Sequence, residues 1–264
     1  MKLPIWQVDA FSARRFGGNP AAVVRLDDWL ADAMLLAIAA ENNLSETAYI
    51  RPSTESGCDY DIRWFTPRVE VSLCGHATLA SAWVVFHRLE VARTRVVFGS
   101  KSGPLPVERD GERLVLDFPV GTLEPAPQSD TLLKALGRAP RELYAGYQWL
   151  ALYDSEAEVR ALRPDMAGII ASGIHGIVVT AKGDDCDFVS RFFAPSAGVP
   201  EDPVTGSAHT RLAPFWAERL GKTTFFARQV SARGGELWCQ LLREKNRLQI
   251  AGEATLFLEG TIEI

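Results

Sequence analysis

Cysteine, histidine and methionine are scarce in this 264-residue chain, at four, four and three. The cysteines, Cys58, Cys74, Cys186 and Cys239, are scattered, with no C-x-x-C pair and no metal-ligand spacing. That speaks against a structural zinc site and against a disulfide scaffold. No H-x-x-x-H pair, no G-x-G-x-x-G after a strand, no G-x-x-x-x-G-K-[ST] loop and no G-x-S-x-G elbow occurs. Nothing therefore asks for a metal, nucleotide or flavin, and the expected cofactor set is none. Positive charge is also short: 28 Lys and Arg against 33 Asp and Glu, a net charge of −5, with no basic block. Nucleic acid and anionic membranes are poor partners for such a surface. No apolar run reaches the roughly 18 residues of a membrane span. The opening Met1-Lys2-Leu3-Pro4-Ile5-Trp6 lacks the basic-then-apolar pattern of a secretory signal. The expectation is a soluble, reduced, cytoplasmic protein.

What is present is ordinary globular material, 47% hydrophobic and 23% charged. The length suits two domains of about 130 residues each. Strands are predicted over 3–11, 21–24, 47–50 and 61–65, then 95–99, 103–108 and 113–117. Asp27 or Asp28 is placed to cap a helix carrying Leu30, Met34 and Ile38, which stops near Asn42-Asn43. Glu46 then stands where a helix hands over to a strand. Residues 75–87 are apolar or small all round, so that helix is expected to be buried on every side, threaded through a curved sheet or barrel. The stretch 124–129 is the linker candidate, which divides the chain into domains 1–122 and 123–264, with the last strand a candidate to return to the first. Strands at 148–153, 176–180 and 187–193 and a helix from Gly206 to about Leu220 complete the second half.

The halves echo each other at an offset of about 130 residues. Phe65-Thr66-Pro67 is followed by Gly75-His76-Ala77, and Phe193-Ala194-Pro195 by Gly206-Ser207-Ala208. Each copy offers a glycine-led helix start, whose unpaired N–H groups and partial positive charge grip carboxylate or phosphate without a basic side chain. Two such starts facing each other across a cleft would hold a small anion.

Among candidate reactive groups, Glu46 reads by position alone as a solvated surface glutamate. At a cleft edge, desolvation would raise its pKa and make it a proton shuttle. His76, one residue into its helix, suits donation to a substrate carboxylate, or else a structural bond to backbone. Asp202 reads as a helix cap or as a partner orienting His76. His209 reads as packing, and Ser207 as an anion donor or a first-turn residue. Cys74 reads as a thiol activated by a helix start or as a packing residue. Tyr147 and Trp149 are candidate pocket walls.

Val8-Asp9-Ala10-Phe11, Gly18-Asn19-Pro20-Ala21-Ala22-Val23-Val24 and Asn43-Leu44-Ser45-Glu46-Thr47-Ala48 resemble the opening of the PhzF-like isomerase family of phenazine biosynthesis. Arg63-Trp64-Phe65-Thr66-Pro67, Cys74-Gly75-His76-Ala77-Thr78, 201–208 and 252–260 are similar to its later hallmarks, in order. The resemblance implies an α+β, diaminopimelate-epimerase-like fold. That fold has two pseudo-symmetric domains, each a curved sheet or barrel around a central helix. It also implies Glu46, His76 and Asp202 as catalytic residues, and Gly75, Ala77, Gly206 and Ser207 as substrate-binding ones. A homodimer and a small carboxylate substrate follow from it as well. The reaction implied is a proton shift without cofactor. The related epimerases use two cysteines; Cys74 resembles the first, but the second loop offers Asp202-Pro203-Val204 and no thiol. The alternatives are an amino- or hydroxy-acid racemase using Cys74, and a catalytically silent carboxylate-binding protein.

Overall fold

The computed structural model describes residues 1–127 and 129–264. The chain divides into two compact units, Met1–Asp117 with Ile250–Ile264, and Phe118–Gln249. The first contains β1 (Lys2–Ala10), β2 (Asn19–Arg25), α1 (Asp32–Asn42), β3 (Glu46–Pro52), β4 (Tyr60–Phe65) and β5 (Glu70–Val71). There follow α2 (Gly75–Val84), β6 (Arg95–Gly99), β7 (Leu105–Asp110) and β8 (Arg113–Pro119). The second contains β9 (Glu124–Pro125), α3 (Asp130–Leu136), β10 (Glu142–Ala145), β11 (Trp149–Leu152), α4 (Glu156–Ala161), α5 (Met166–Ala171) and β12 (Ile177–Lys182). It continues with β13 (Phe188–Ala194), β14 (Val199–Asp202), α6 (Gly206–Leu220), β15 (Thr224–Gln229), β16 (Gly235–Leu242) and β17 (Arg247–Gly252). The last strand, β18 (Ala254–Glu263), pairs antiparallel with β1 from Lys2↔Glu263 to Ala10↔Ala254.

The units share one connectivity. In the first, β1–β2 is antiparallel, β2–β3 parallel, β3–β4 and β4–β5 antiparallel, β4–β6 parallel and β6–β7 antiparallel. In the second, β10–β11, β11–β12, β12–β13, β13–β14, β13–β15 and β15–β16 repeat that series sense for sense. The parallel pairs need crossovers. α1 serves the first unit and α4 with α5 the second, and the glycine-led α2 and α6 serve the later crossing in each. The fold is thus α+β and diaminopimelate-epimerase-like, with two pseudo-symmetric halves.

Side chains follow the same symmetry. Arg63 of β4 donates Nε and Nη2 to the two carboxylate oxygens of Glu70 on β5, at 2.8 and 2.9 Å. Arg191 of β13 does the same to Glu201 on β14, at 2.7 and 3.0 Å. These paired bonds fix the short return strand that leads into each central helix.

α2 is buried along nearly its whole length and packs against β1, β2, β3 and β18, as an all-apolar helix must. Its hydroxyls bond back one turn, Thr78 to the Cys74 carbonyl at 2.6 Å and Ser81 to that of Ala77 at 2.8 Å. α2 then widens into a π-helical turn over Val85–Leu89. α6 spans Gly206–Leu220 as expected, and Gly221, with φ of 64°, ends it in the left-handed region that favours glycine.

Two expectations are corrected. The first helix starts at Asp32 after Ala31, with no side-chain cap, so Leu30 lies outside it and Met34 is exposed. Asp27 and Asp28 instead pair with Arg25 and Arg51. Ion pairing thus takes up both carboxylates that the pattern assigned to the helix. The stretch 124–129 is not a plain linker. Glu124 and Pro125 pair with Ala145 and Tyr144, and Ser129 precedes α3, while Gln128 lies outside the described residues. Among the described residues no helix is long and apolar enough to cross a membrane, which leaves strands unaddressed.

Candidate active site

In the first unit, three element starts converge. β2 begins at Asn19, β3 at Glu46 and α2 at Gly75, with Cys74 as the residue before it. Gly18 makes the entry to β2 possible. Its φ is +63°, and a Cβ there would stand 2.1 Å from the Ala10 carbonyl oxygen. Glu46 follows the left-handed Asn43 that ends α1, and pairs with Ala21 across the parallel β2–β3 ladder.

His76 is the centre of this group and is buried. The Asn19 amide nitrogen lies 3.2 Å from its Nδ1, and Cys74 Sγ 3.5 Å from the same atom. An amide N–H donates and a thiol can, so the tautomer assigned from these contacts has Nδ1 accepting and the proton on Nε2. That nitrogen lies 3.2 Å from Oε2 of Glu46 without an aligned hydrogen bond. Burial pushes the His76 ring down to about 3, so it is neutral at physiological pH. The three groups are clustered, with Cys74 3.5 Å from Nδ1 and Glu46 3.2 Å from Nε2 of the same ring.

Among the described residues, Glu46, Cys74 and His76 form the one cluster with three metal-type ligand atoms, all within 4.8 Å of one another.

In the second unit, the loop between β14 and α6 is held from within. Thr205 donates its hydroxyl to Asp202 Oδ2. Gln229, buried, donates to the Asp202 carbonyl at 2.7 Å and accepts the Thr205 N–H at 2.9 Å. Ser231 donates to the Pro203 carbonyl at 2.8 Å. Asp202 is thus not the helix cap. Thr205 holds that position, and it makes no side-chain cap. Ser207 accepts from Gln148 Nε2 at 3.1 Å. His209 is buried with Nδ1 2.9 Å from the Thr205 carbonyl, and burial pushes its ring down to about 4 against that bond. Trp149 packs on the second unit's apolar core, and Tyr147 is exposed.

Glu46, Cys74, His76, Gly75 and Ala77 therefore belong to one constellation, and Asp202, Gly206, Ser207 and His209 to another. Asn19, Gln148 and Gln229 were not singled out as site residues. Gln148 and Gln229 meet their partners 59 and 24 positions away, beyond any local pattern.

Two buried neutral histidines make stability pH-dependent. Unfolded histidine titrates near 6.5, above both folded values, so the unfolded chain binds more protons as the pH falls from about 6.5 toward 4. Stability is therefore full above that window and drops through it, by about 1.4 kcal/mol per pH unit for each histidine. Urea midpoints at pH 7 and pH 5 should fall together with pH, and His209→Gln should roughly halve the slope. A flat profile would contradict the buried neutral assignment.

The sequence profile of the phenazine biosynthesis-like family, PhzC-PhzF, matches residues 8–260. An uncharacterised isomerase of Pseudomonas aeruginosa is 50% identical over 264 residues, all of both chains. The crystal structure of a PhzF-family protein of Enterococcus faecalis is 44% identical, covers all of both chains and superposes with a TM-score of 0.95. A hydroxyproline epimerase of Agrobacterium vitis, at 11% identity and a TM-score of 0.65 over 99% of this chain and 92% of its own, shares the fold alone. The chain belongs to the phenazine biosynthesis-like family and is an isomerase.

Proposed function

We propose that the chain shifts a proton on a small carboxylate, with Glu46 as the single acid/base. The observation that carries this is the Glu46 carboxylate 3.2 Å from Nε2 of a neutral, buried His76. Glu46 takes a proton from a carbon beside an unsaturated system and returns it elsewhere on the same face. The His76 N–H steadies the carboxylate and the developing charge. Each unit offers a glycine-led helix start suited to an anionic group, Gly75-His76-Ala77 in the first and Gly206-Ser207 with Asp202 in the second. The groups moving the proton are the chain's own, so the reaction is read as cofactor-independent. A homodimer in the cytoplasm is the accompanying proposal, from family likeness.

A second reading, racemisation, is favoured by one contact, Cys74 Sγ at 3.5 Å from His76 Nδ1. It makes the thiol an acid/base. Incubation of aromatic and cyclic carboxylic acids with the protein in D2O separates the two. Deuterium uptake into one of them that survives Cys74→Ser and disappears in Glu46→Gln supports the shuttle. Uptake lost in Cys74→Ser and kept in Glu46→Gln supports the racemase. Tight binding with no uptake on any acid would point to a silent binding protein.

A further inference from the structure

Arg191 and Arg211 lie in the same unit and differ sharply. Arg191 makes four N–H bonds of 2.7 to 3.0 Å, two to Glu201 and two to the Val159 and Leu162 carbonyls. Arg211 makes two, both at 3.5 Å and both from Nη1, to Gln148 Oε1 and Thr210 Oγ1. Its Nε is buried and has no hydrogen-bond partner. Among the described residues no carboxylate pairs with it, and burial lowers its pKa. A guanidinium carries five donors in a rigid fork, and among the described residues only the Nη1 of this one has hydrogen-bond partners.

The position is built rather than incidental. Pro214 lies inside α6 and has no N–H, which releases the Thr210 carbonyl one turn back. Gly121 N–H donates to that carbonyl at 3.1 Å. Its backbone is thereby laid against Arg211. A Cβ at 121 would come within 2.8 Å of Arg211 Cγ and 2.9 Å of Cζ. The exposed Tyr147 ring stands 5.9 Å from Cζ. Gln148, itself buried, joins Arg211 to Ser207, accepting from the one and donating to the other. Ser207 and Arg211 are four residues apart. They share a helix face at a separation of about 6 Å along the axis.

We propose that Arg211 binds a second acidic group of the substrate, so that the substrate is a dicarboxylate with one carboxylate at Ser207 and the other on the guanidinium. This rests on the carboxylate-holding role given to Gly206 and Ser207 above. A half-buried arginine whose Nε has no partner and whose Nη1 contacts are both at 3.5 Å is suited to bidentate carboxylate recognition.

The test is calorimetric titration of the full chain with succinate, glutarate and adipate, and with butyrate as the one-acid counterpart. At least one diacid should bind about 10- to 100-fold tighter than butyrate, the scale of a charge-assisted contact. Arg211→Gln should erase that advantage and leave butyrate affinity within about threefold. Arg211→Lys, which keeps charge and helix but not the fork, should retain part of it. Gly121→Ala, which displaces the guanidinium without removing it, should narrow it. No diacid preference in the unaltered chain, or a preference that survives Arg211→Gln, overturns the assignment. Binding is read without turnover, so the outcome stands apart from the Glu46 exchange test. Exchange lost in Glu46→Gln with no diacid preference removes only the Arg211 role. A diacid preference with exchange kept in Glu46→Gln removes only the shuttle.

Discussion

Glu46→Gln is expected to lower kcat by about 10²- to 10⁴-fold, the usual contribution of a positioned acid/base, and to leave thermal stability nearly unchanged. Glutamine has the shape of glutamate, so β3 and its pairing with Ala21 should persist. What is lost is the capacity to accept a proton. His76 cannot replace it, because burial makes its ring a weak base, with its pKa pushed down to about 3. If Glu46 acts only in the chemical step, kcat and kcat/KM should fall together. A rise in KM with kcat unchanged would make Glu46 a binding residue instead. The assay is steady-state turnover of the acid identified by deuterium uptake, with circular dichroism checking the fold.

Glu201→Ala is expected to cost about 3 kcal/mol of stability, the lower end of what breaking a buried ion pair costs. Arg191 is 8% exposed and makes two of its four bonds to this carboxylate. Removal of the carboxylate leaves a buried guanidinium with the carbonyls of Val159 and Leu162 and the Phe193 ring, and no counter-charge at this contact. Glu201→Gln keeps an acceptor for one N–H and should cost less. Because β14 pairs with β13 at Phe192↔Asp202, the same change should loosen Asp202 and the loop into α6. Urea unfolding of the full chain measures the loss. A cost below about 1 kcal/mol, the level of an exposed surface pair, would show that the pair does not hold β14.

Much of this was legible in the sequence. α6 is bounded by residues whose local chemistry dictates it, Gly206 at the start and a left-handed Gly221 at the end. α2 announces itself by lacking any polar face. The paired Phe-x-Pro and glycine-led starts disclose the repeat, which the shared strand connectivity of the two units displays in full. Other features were present and passed over. Ser155 accepts from Glu158 N–H at 3.2 Å, a cap visible in Ser155-Glu156-Ala157-Glu158, yet α4 was not predicted. α3 and α5 are too short for a periodic apolar face to stand out. α1 was misplaced because Asp27 and Asp28 look like caps in one dimension and are ion-pair partners in three. The roles of Gln229 and Arg211 depend on distant partners and on a single proline inside a helix. No window of neighbouring residues carries that information.

The central claim is that one carboxylate removes and returns the proton. It is tested most directly by following hydrogen within a single turnover. The substrate, once identified, is prepared with deuterium at the migrating position and converted in ordinary water by the unaltered chain. A single-carboxylate shuttle predicts that part of the label reappears in the product at its new position, because Glu46 holds the deuteron until it is delivered. Complete loss of the label to solvent, together with abolished turnover in Cys74→Ser, would contradict the account and assign the chemistry to two separate groups.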